Sequence, residues 1–239
     1  MKQGRRSALA YLFMGGVATA ALSTAAHSLG AQTPISLRAE DGGLVVADSY
    51  GAGDRAVVLA PGGRFDRASW KDQARELAAA GFRVVAIDFR AAVEARAGRE
   101  TSCLYDAACL ARDVSAAVRH LRETGAKEVS VVGASLGGGA AAQASVDAPA
   151  GVIDRIVLLA HMPIELPEKI TGRKLFIVAR HDTGSGDIPR LPAIRAQHAR
   201  ASAPKELVVL EGSAHAQFIF QTSEGPRLMR EIVRFLTEP

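Results

Sequence analysis

Five consecutive residues, Gly133-Ala134-Ser135-Leu136-Gly137, hold a serine between glycines two positions to either side. The pattern is G-x-S-x-G, and it directly follows the apolar run Val129-Ser130-Val131-Val132 and opens a helical segment near Leu136. A serine hydroxyl is a weak nucleophile until a neighbouring base takes its proton. Presenting it on a sharp strand-to-helix turn needs strained backbone angles, and the flanking glycines let strand and helix approach closely. The same turn aims the first N–H groups of the helix at an oxyanion forming beside the serine. Gly138, Gly139, Ala140, Ala141 and Ala142 keep that helix slim enough to bury. A turn used only for packing is the alternative, and the strand–turn–helix context weighs against it.

Such a nucleophile needs a base, and the base needs an acid to orient it. Six histidines are available. His215 lies in Glu211-Gly212-Ser213-Ala214-His215-Ala216-Gln217-Phe218, after the last strand-like run and before the C-terminal helical segment. His27, His120, His181 and His198 read as structural residues. His161 reads the same way, but it follows a strand and is expected near the site rim, within reach of substrate. Two carboxylates follow the run at 174–179, Asp182 closely and Asp187 beyond Thr183-Gly184-Ser185-Gly186. Orienting an imidazole demands sub-ångström placement, so the carboxylate nearer the rigid strand is the better candidate. Asp187 remains the alternative acid, with a turn or cap role ahead of the next helix as its other reading.

The elements that must position these residues alternate regularly. Short β-rich runs fall at 44–48, 56–60, 83–88, 128–132, 155–160, 174–179 and 206–210, several of them continuously apolar as strands covered on both faces require. Helical patterns fall between them at 69–80, 106–124, 136–146, 191–201 and 224–236. In the second, Leu110, Val114, Ala117, Val118 and Leu121 recur at the spacing of one buried face. Gly81 and Gly125 stand where left-handed helix caps belong. Runs at 35–39 and 44–48 around Glu40-Asp41-Gly42-Gly43 predict an N-terminal antiparallel hairpin. The expected fold is α/β: a doubly wound, mostly parallel sheet with helices on both faces. About a dozen residues separate the strands at 155–160 and 174–179, too few for a lid domain, so the site is expected to be open. No repeat or linker suggests a second domain.

Composition narrows the class. Apolar residues make up 48% and charged residues 23% of the 239, the balance of a folded globular chain. The net charge of +4 is spread among acids and partly borne by Lys2, Arg5 and Arg6, which argues against a nucleic-acid partner. Those three residues precede a charge-free run at 8–26 and the small pair Gly30-Ala31, the layout of a cleavable secretory signal. Residues 1–31 are therefore read as signal and 32–239 as the mature domain, periplasmic or secreted. An uncleaved anchor is the alternative, because the run approaches the length of a bilayer span. The two cysteines, Cys103 and Cys109, are close enough to close a short loop as a disulfide after export, or else stand as separate thiols. No further Cys or His lies at ligand spacing around them, so no metal is expected.

Across roughly residues 44–235 the chain resembles the α/β-hydrolase superfamily, in particular its small lidless esterase-like and dienelactone-hydrolase-like members. The resemblance implies the chain order nucleophile, acid, base, met here by Ser135, Asp182 and His215. Ala179-Arg180-His181-Asp182 matches the family's Gly-x-x-Asp with Ala for Gly. The family's oxyanion loop follows the third strand as a His-Gly-x run, and this chain has Pro61-Gly62-Gly63-Arg64-Phe65. Pro61 replaces the histidine, but the donor is a backbone N–H, that of Gly63 or Arg64, paired with that of Leu136. An ordinary βα turn is the other reading of those glycines. The implied activity is hydrolysis of a small-molecule carboxylic ester through an acyl-enzyme, with no cofactor. The same residues would serve acyl transfer or peptide cleavage, and a non-catalytic exported binding protein could also keep the fold. A nucleotide site is excluded, since neither Pro61-Gly62-Gly63 nor Gly137-Gly138-Gly139 has the spacing or lysine of a phosphate loop.

Overall fold

The computed structural model describes Met1, residues 31–101, Cys103 and residues 106–238, so nearly all of the signal read at 1–31 lies outside the described residues. Eight strands form one sheet: β1 Thr33–Arg38, β2 Leu44–Tyr50, β3 Arg55–Ala60, β4 Arg83–Ile87, β5 Glu128–Ala134, β6 Arg155–Leu159, β7 Arg173–Ala179 and β8 Lys205–Leu210. Their spatial order is β1-β2-β4-β3-β5-β6-β7-β8. β1 and β2 form the expected antiparallel hairpin, β2 also runs antiparallel to β4, and β3 to β8 are parallel throughout.

The helices are α1 Lys71–Ala79, α2 Arg90–Arg96, α3 Ala107–Glu123, α4 Leu136–Asp147, α5 Arg190–Arg200 and α6 Gly225–Thr237. Right-handed crossovers place α1 on one face of the sheet and α3, α4 and α5 on the other, because the β3-to-β4 step runs opposite to the later ones. Five of these match the expected helices within a residue or two. The segment expected to be helical from Ser69 starts instead as a 3-10 turn, Arg67–Trp70, where the Asp66 carboxylate accepts from the Ala68 N–H. α2 carries no sequence signal, since only Ala91 and Ala92 of its seven residues are buried. The sulfurs of Cys103 and Cys109 are bonded to each other, with Cα atoms 5.5 Å apart, tying the segment ahead of α3 to its first turn. Asp106 caps α3 by accepting from the Ala108 and Cys109 N–H groups.

The core is aliphatic and continuous. Val131, Val132, Ile156, Val157, Leu175 and Ile177 are almost wholly excluded from solvent. Each such side chain contributes about 1.5–3 kcal/mol, against roughly 0–1 kcal/mol for an exposed ion pair. Apolar burial, not the many surface arginine–carboxylate pairs, therefore holds the sheet. The connection from β6 to β7 contains only a 3-10 turn, Pro167–Lys169, and no lid stands over the carboxyl ends of the strands among the described residues. No helix among them is long and apolar enough to cross a membrane.

α4 lies so close to the sheet that side chains are excluded at two glycines. A Cβ on Gly137 would stand 2.4 Å from the carbonyl oxygens of both Ala60 and Pro61, and one on Gly133 2.4 Å from that of Gly137. These neighbours are backbone and cannot step aside. Gly137→Ala is expected to cost at least about 2 kcal/mol, seen as a fall of roughly 4–8 °C in Tm by circular dichroism. A Tm within a degree of wild type would show that the backbone yields there.

Candidate active site

The register of the parallel strands gathers five loops at one end of the sheet. Ala60 pairs with Gly133, Ala134 with Leu159, and Ala179 with Leu210, so the chain leaves β3, β5, β6, β7 and β8 at nearly one level. Ser135 stands at the tip of the turn between β5 and α4 with φ +51° and ψ −113°. That region is costly for a residue with a Cβ, and surrounding bonds hold it. The Ser135 N–H donates to the Leu159 carbonyl at 2.9 Å. Its own carbonyl accepts from Gly138, Gly139 and Met162 at 3.0, 3.1 and 2.8 Å.

His215 and Asp182 meet this serine. The His215 Nε2 lies 2.8 Å from the Ser135 Oγ, and its Nδ1 lies 2.8 and 3.0 Å from the two Asp182 carboxylate oxygens. The contacts are satisfied together when Nδ1 carries the proton and donates to Asp182, leaving Nε2 to accept from the serine hydroxyl. Asp182 is completely buried while the His215 side chain keeps 27% of its exposure, so the polar chain runs from a dry end to a wet one. Two bonds extend the β7–β8 pairing beyond the strands: Arg180 N–H to Leu210 O at 2.8 Å and His181 N–H to Gly212 O at 2.9 Å. They carry the loop bearing Asp182 up against the loop bearing His215.

Asp187 is not brought to the site. It ends the 3-10 turn Ser185–Asp187 with φ +57°, exposed, and is not a partner of His215. Arg190, which the sequence did not single out, closes this loop. Its N–H donates to the Asp182 carbonyl at 2.9 Å, and its Nε lies 3.6 Å from Asp182 Oδ1.

The glycines after β3 lie directly against the serine turn. A Cβ on Gly62 would be 3.5 Å from the Ser135 Cβ, and one on Gly63 3.3 Å from the Leu136 Cδ2. The Gly62 N–H is occupied, donating to the Gln217 Oε1 at 2.7 Å. The N–H groups of Gly63, Arg64 and Leu136 donate to no acceptor among the described residues. Gly63 and Leu136 are thus adjacent, with two free donors beside the serine. The far end of this loop is anchored by Arg67, whose guanidinium bridges the buried Asp48 and Asp88. Neither that bridge nor Gln217 had a sequence signal, because each works between residues far apart in the chain. No group of three or more His, Cys, Asp or Glu among the described residues is placed to hold a metal ion.

His161 corrects an expectation. Its side chain is fully buried and not at the rim. The chain bends at Ala160, with φ +44°, and sends residue 161 down beneath α4, where a Cβ on Gly138 would meet the His161 Cβ at 2.6 Å. The ring packs edge-on against Phe176 at 5.4 Å, and neither nitrogen has a hydrogen-bond partner among the described residues.

Comparison with known proteins agrees with this fold. The alpha/beta hydrolase family model matches residues 57–168. No curated protein matches the chain by sequence. Among solved structures, a dienelactone hydrolase from Anabaena variabilis superposes with a TM-score of 0.72 at 19% identity, over 86% of this chain and 96% of that one. An esterase from Exiguobacterium antarcticum gives 0.68 at 14% identity over 86% and 100%. An esterase from Pyrococcus furiosus gives 0.65 at 17% over 86% and 93%. At these identities the likeness is one of fold.

The buried His161 has a measurable consequence. Burial, the dominant effect, holds its pKa down to about 4 from the usual 6.5. The nearby Gln197 amide, both ends of which are taken by the Ile164 backbone, opposes this without outweighing burial. Between those two values the unfolded chain binds a proton that the folded protein refuses, so stability is full above about pH 6.5 and falls as pH drops toward 4. Acidification from pH 7 to 5 should cost about 2 kcal/mol through this residue alone. Urea unfolding at the two pH values should show wild type losing that much more than His161→Leu. Parallel losses in the two proteins would mean that the ring is protonated in the fold.

Proposed function

We propose that this chain is a serine hydrolase of the α/β-hydrolase family that cleaves a small carboxylic ester through an acyl-enzyme, a reading that the family-model match over residues 57–168 and the shared fold support. The reading rests above all on one observation, the unbroken contact from Ser135 Oγ through the His215 imidazole to the buried Asp182. The Ser135 oxygen attacks the ester carbonyl while His215 Nε2 takes its proton. Asp182 keeps the imidazole in the tautomer that can accept and steadies the imidazolium that forms. The carbonyl oxygen, now negative, is met by the N–H groups of Gly63 and Leu136. His215 returns the proton to the leaving alcohol, and a water then repeats the sequence to release the acid. Among the described residues nothing stands over the site, which suits a small substrate approaching from solvent, and the esterases and dienelactone hydrolase of like fold support an ester-type bond.

A fluorophosphonate probe should label the wild-type protein, and Ser135→Ala should abolish labelling and lower ester turnover by several orders of magnitude. Asp182→Asn should reduce kcat by roughly 10⁴ by upsetting the tautomer, with Asp187→Asn near wild type. Labelling that persists in Ser135→Ala would remove the proposal. The reverse ranking of the two aspartates at equal Tm would move the acid to Asp187.

The enzyme acts outside the cytoplasm after loss of residues 1–31. Lys2, Arg5 and Arg6 ahead of an uncharged run support this, as does the Cys103–Cys109 bond, which persists in oxidising compartments. N-terminal sequencing of protein from its native host should begin near Gln32. A chain still starting at Met1 in the membrane fraction would instead identify an anchor.

A further inference from the structure

Two residues beyond His215, the Gln217 side chain turns inward and is only 4% exposed. Its amide uses both ends. Oε1 accepts from the Gly62 N–H at 2.7 Å, and Nε2 donates to the Ser69 Oγ at 2.7 Å. The Ser69 hydroxyl donates in turn to the Asp66 carbonyl. One amide therefore fastens both ends of the segment 62–69, which carries the Gly63 N–H. Alongside it, Phe218 packs its ring 4.9 Å from that of Phe65 on the same segment. Reaching this position places Ala216, between the base and the glutamine, at φ +50°, a conformation that residues with a Cβ rarely adopt.

The geometry says what the clamp accomplishes. Gly62 to Phe65 form a tight turn in which the Phe65 N–H donates to the Gly62 carbonyl at 2.9 Å. A trans peptide points its C=O and the following N–H in opposite directions, so holding the Gly62 carbonyl also sets the Gly63 N–H. Gln217 fixes the other side of the same residue by holding the Gly62 N–H. It also removes that N–H from the set of free donors, leaving Gly63 beside Leu136.

We propose that Gln217 is a positioning residue that locks the oxyanion loop to the loop carrying the base, so that the Gly63 N–H and His215 act on one carbonyl in a fixed relation. The inference rests on the serine-hydrolase reading and deepens it. Donors aimed at a developing oxyanion lose most of their effect when displaced by about an ångström. Gln217 touches neither substrate nor His215 in this role, so its removal should leave ground-state binding and the ionisation of the base alone.

The test compares Gln217→Met, which keeps the bulk and removes both bonds, with Gln217→Glu, which keeps an acceptor for Gly62, and Ser69→Ala, which removes only the outer bond. On a p-nitrophenyl ester, Gln217→Met should lower kcat about 10²-fold with KM little changed and the pH profile of kcat/KM unmoved. Affinity for a trifluoromethyl ketone, whose adduct places an oxyanion at the same donors, should fall in parallel. Gln217→Glu and Ser69→Ala should each stay within about tenfold of wild type. Three results would overturn the role: kcat unchanged in Gln217→Met, a loss that only follows its unfolded fraction, or a loss as large in Gln217→Glu. If Gln217→Met fails to fold, the Glu variant and Ser69→Ala still decide, since a drop of 10²-fold in either contradicts the assignment. Fluorophosphonate labelling of wild type keeps the two readings apart. An unlabelled wild type overturns the serine-hydrolase reading and this one with it, whereas a labelled wild type with an indifferent Gln217→Met overturns this one alone.

Discussion

A single backbone conformation, Ser135 at φ +51°, sets terms that much of the molecule meets. A non-glycine residue there costs on the order of 1–2 kcal/mol. The hydrogen bonds that Ser135 makes with Leu159, Gly138, Gly139 and Met162 offset this at about 1 kcal/mol each, and they reach it from β6, from α4 and from the loop after β6. Those bonds exist only if α4 starts immediately and lies nearly against β3 and β5. That approach is why Gly133 and Gly137 lack side chains and why α4 continues with glycines and alanines. Ser135 is thus held up by the packing of the central sheet, and a change in that packing reaches it directly.

Electrostatics then divides two buried polar residues by whether each has a partner. Asp182 is fully buried, yet it receives the His215 Nδ1 and lies near the Arg190 guanidinium, so its charge has company. His161 is just as buried and has no hydrogen-bond partner among the described residues, so it stays neutral and acts as a small aromatic beneath the site. Burial without a partner favours the uncharged form, whereas burial with one gives a fixed, directional pair. The same contrast explains the position of the site. Ser135 and His215 stand at the solvent edge, and Asp182, which holds the imidazole, is sealed behind.

The remaining machinery belongs to loops at the carboxyl ends of parallel strands, where successive connections meet in open α/β sheets. Each loop is short and tied to its neighbour: the loop after β3 to the one after β8 through Gln217, and the loop after β7 to the one after β8 through two backbone bonds. With no lid among the described residues, order at the site comes from these ties. The Arg67 bridge to Asp48 and Asp88 extends the scheme to the antiparallel side of the sheet.

Much of this was legible in the residues themselves. Strands buried on both faces announce themselves as continuous apolar runs, α3 by its spacing, and the serine turn by its glycines, because these are consequences of local geometry and burial. Asp182 was preferred over Asp187 by the same local reasoning, and the structure brings Asp182 alone to His215. What one chain segment could not tell is what another segment would bring to it. His161 follows a strand, as a rim residue would, and only the bend at Ala160 and the closeness of α4 sent it inward. The short α2 had too little buried face to leave a pattern, and Gln217 looked like any polar loop residue. Its partner Gly62 lies 155 positions away. Period and composition record which face of an element is buried, but hydrogen bonds between distant loops form only when the sheet has set their spacing, so the tertiary structure alone decided them.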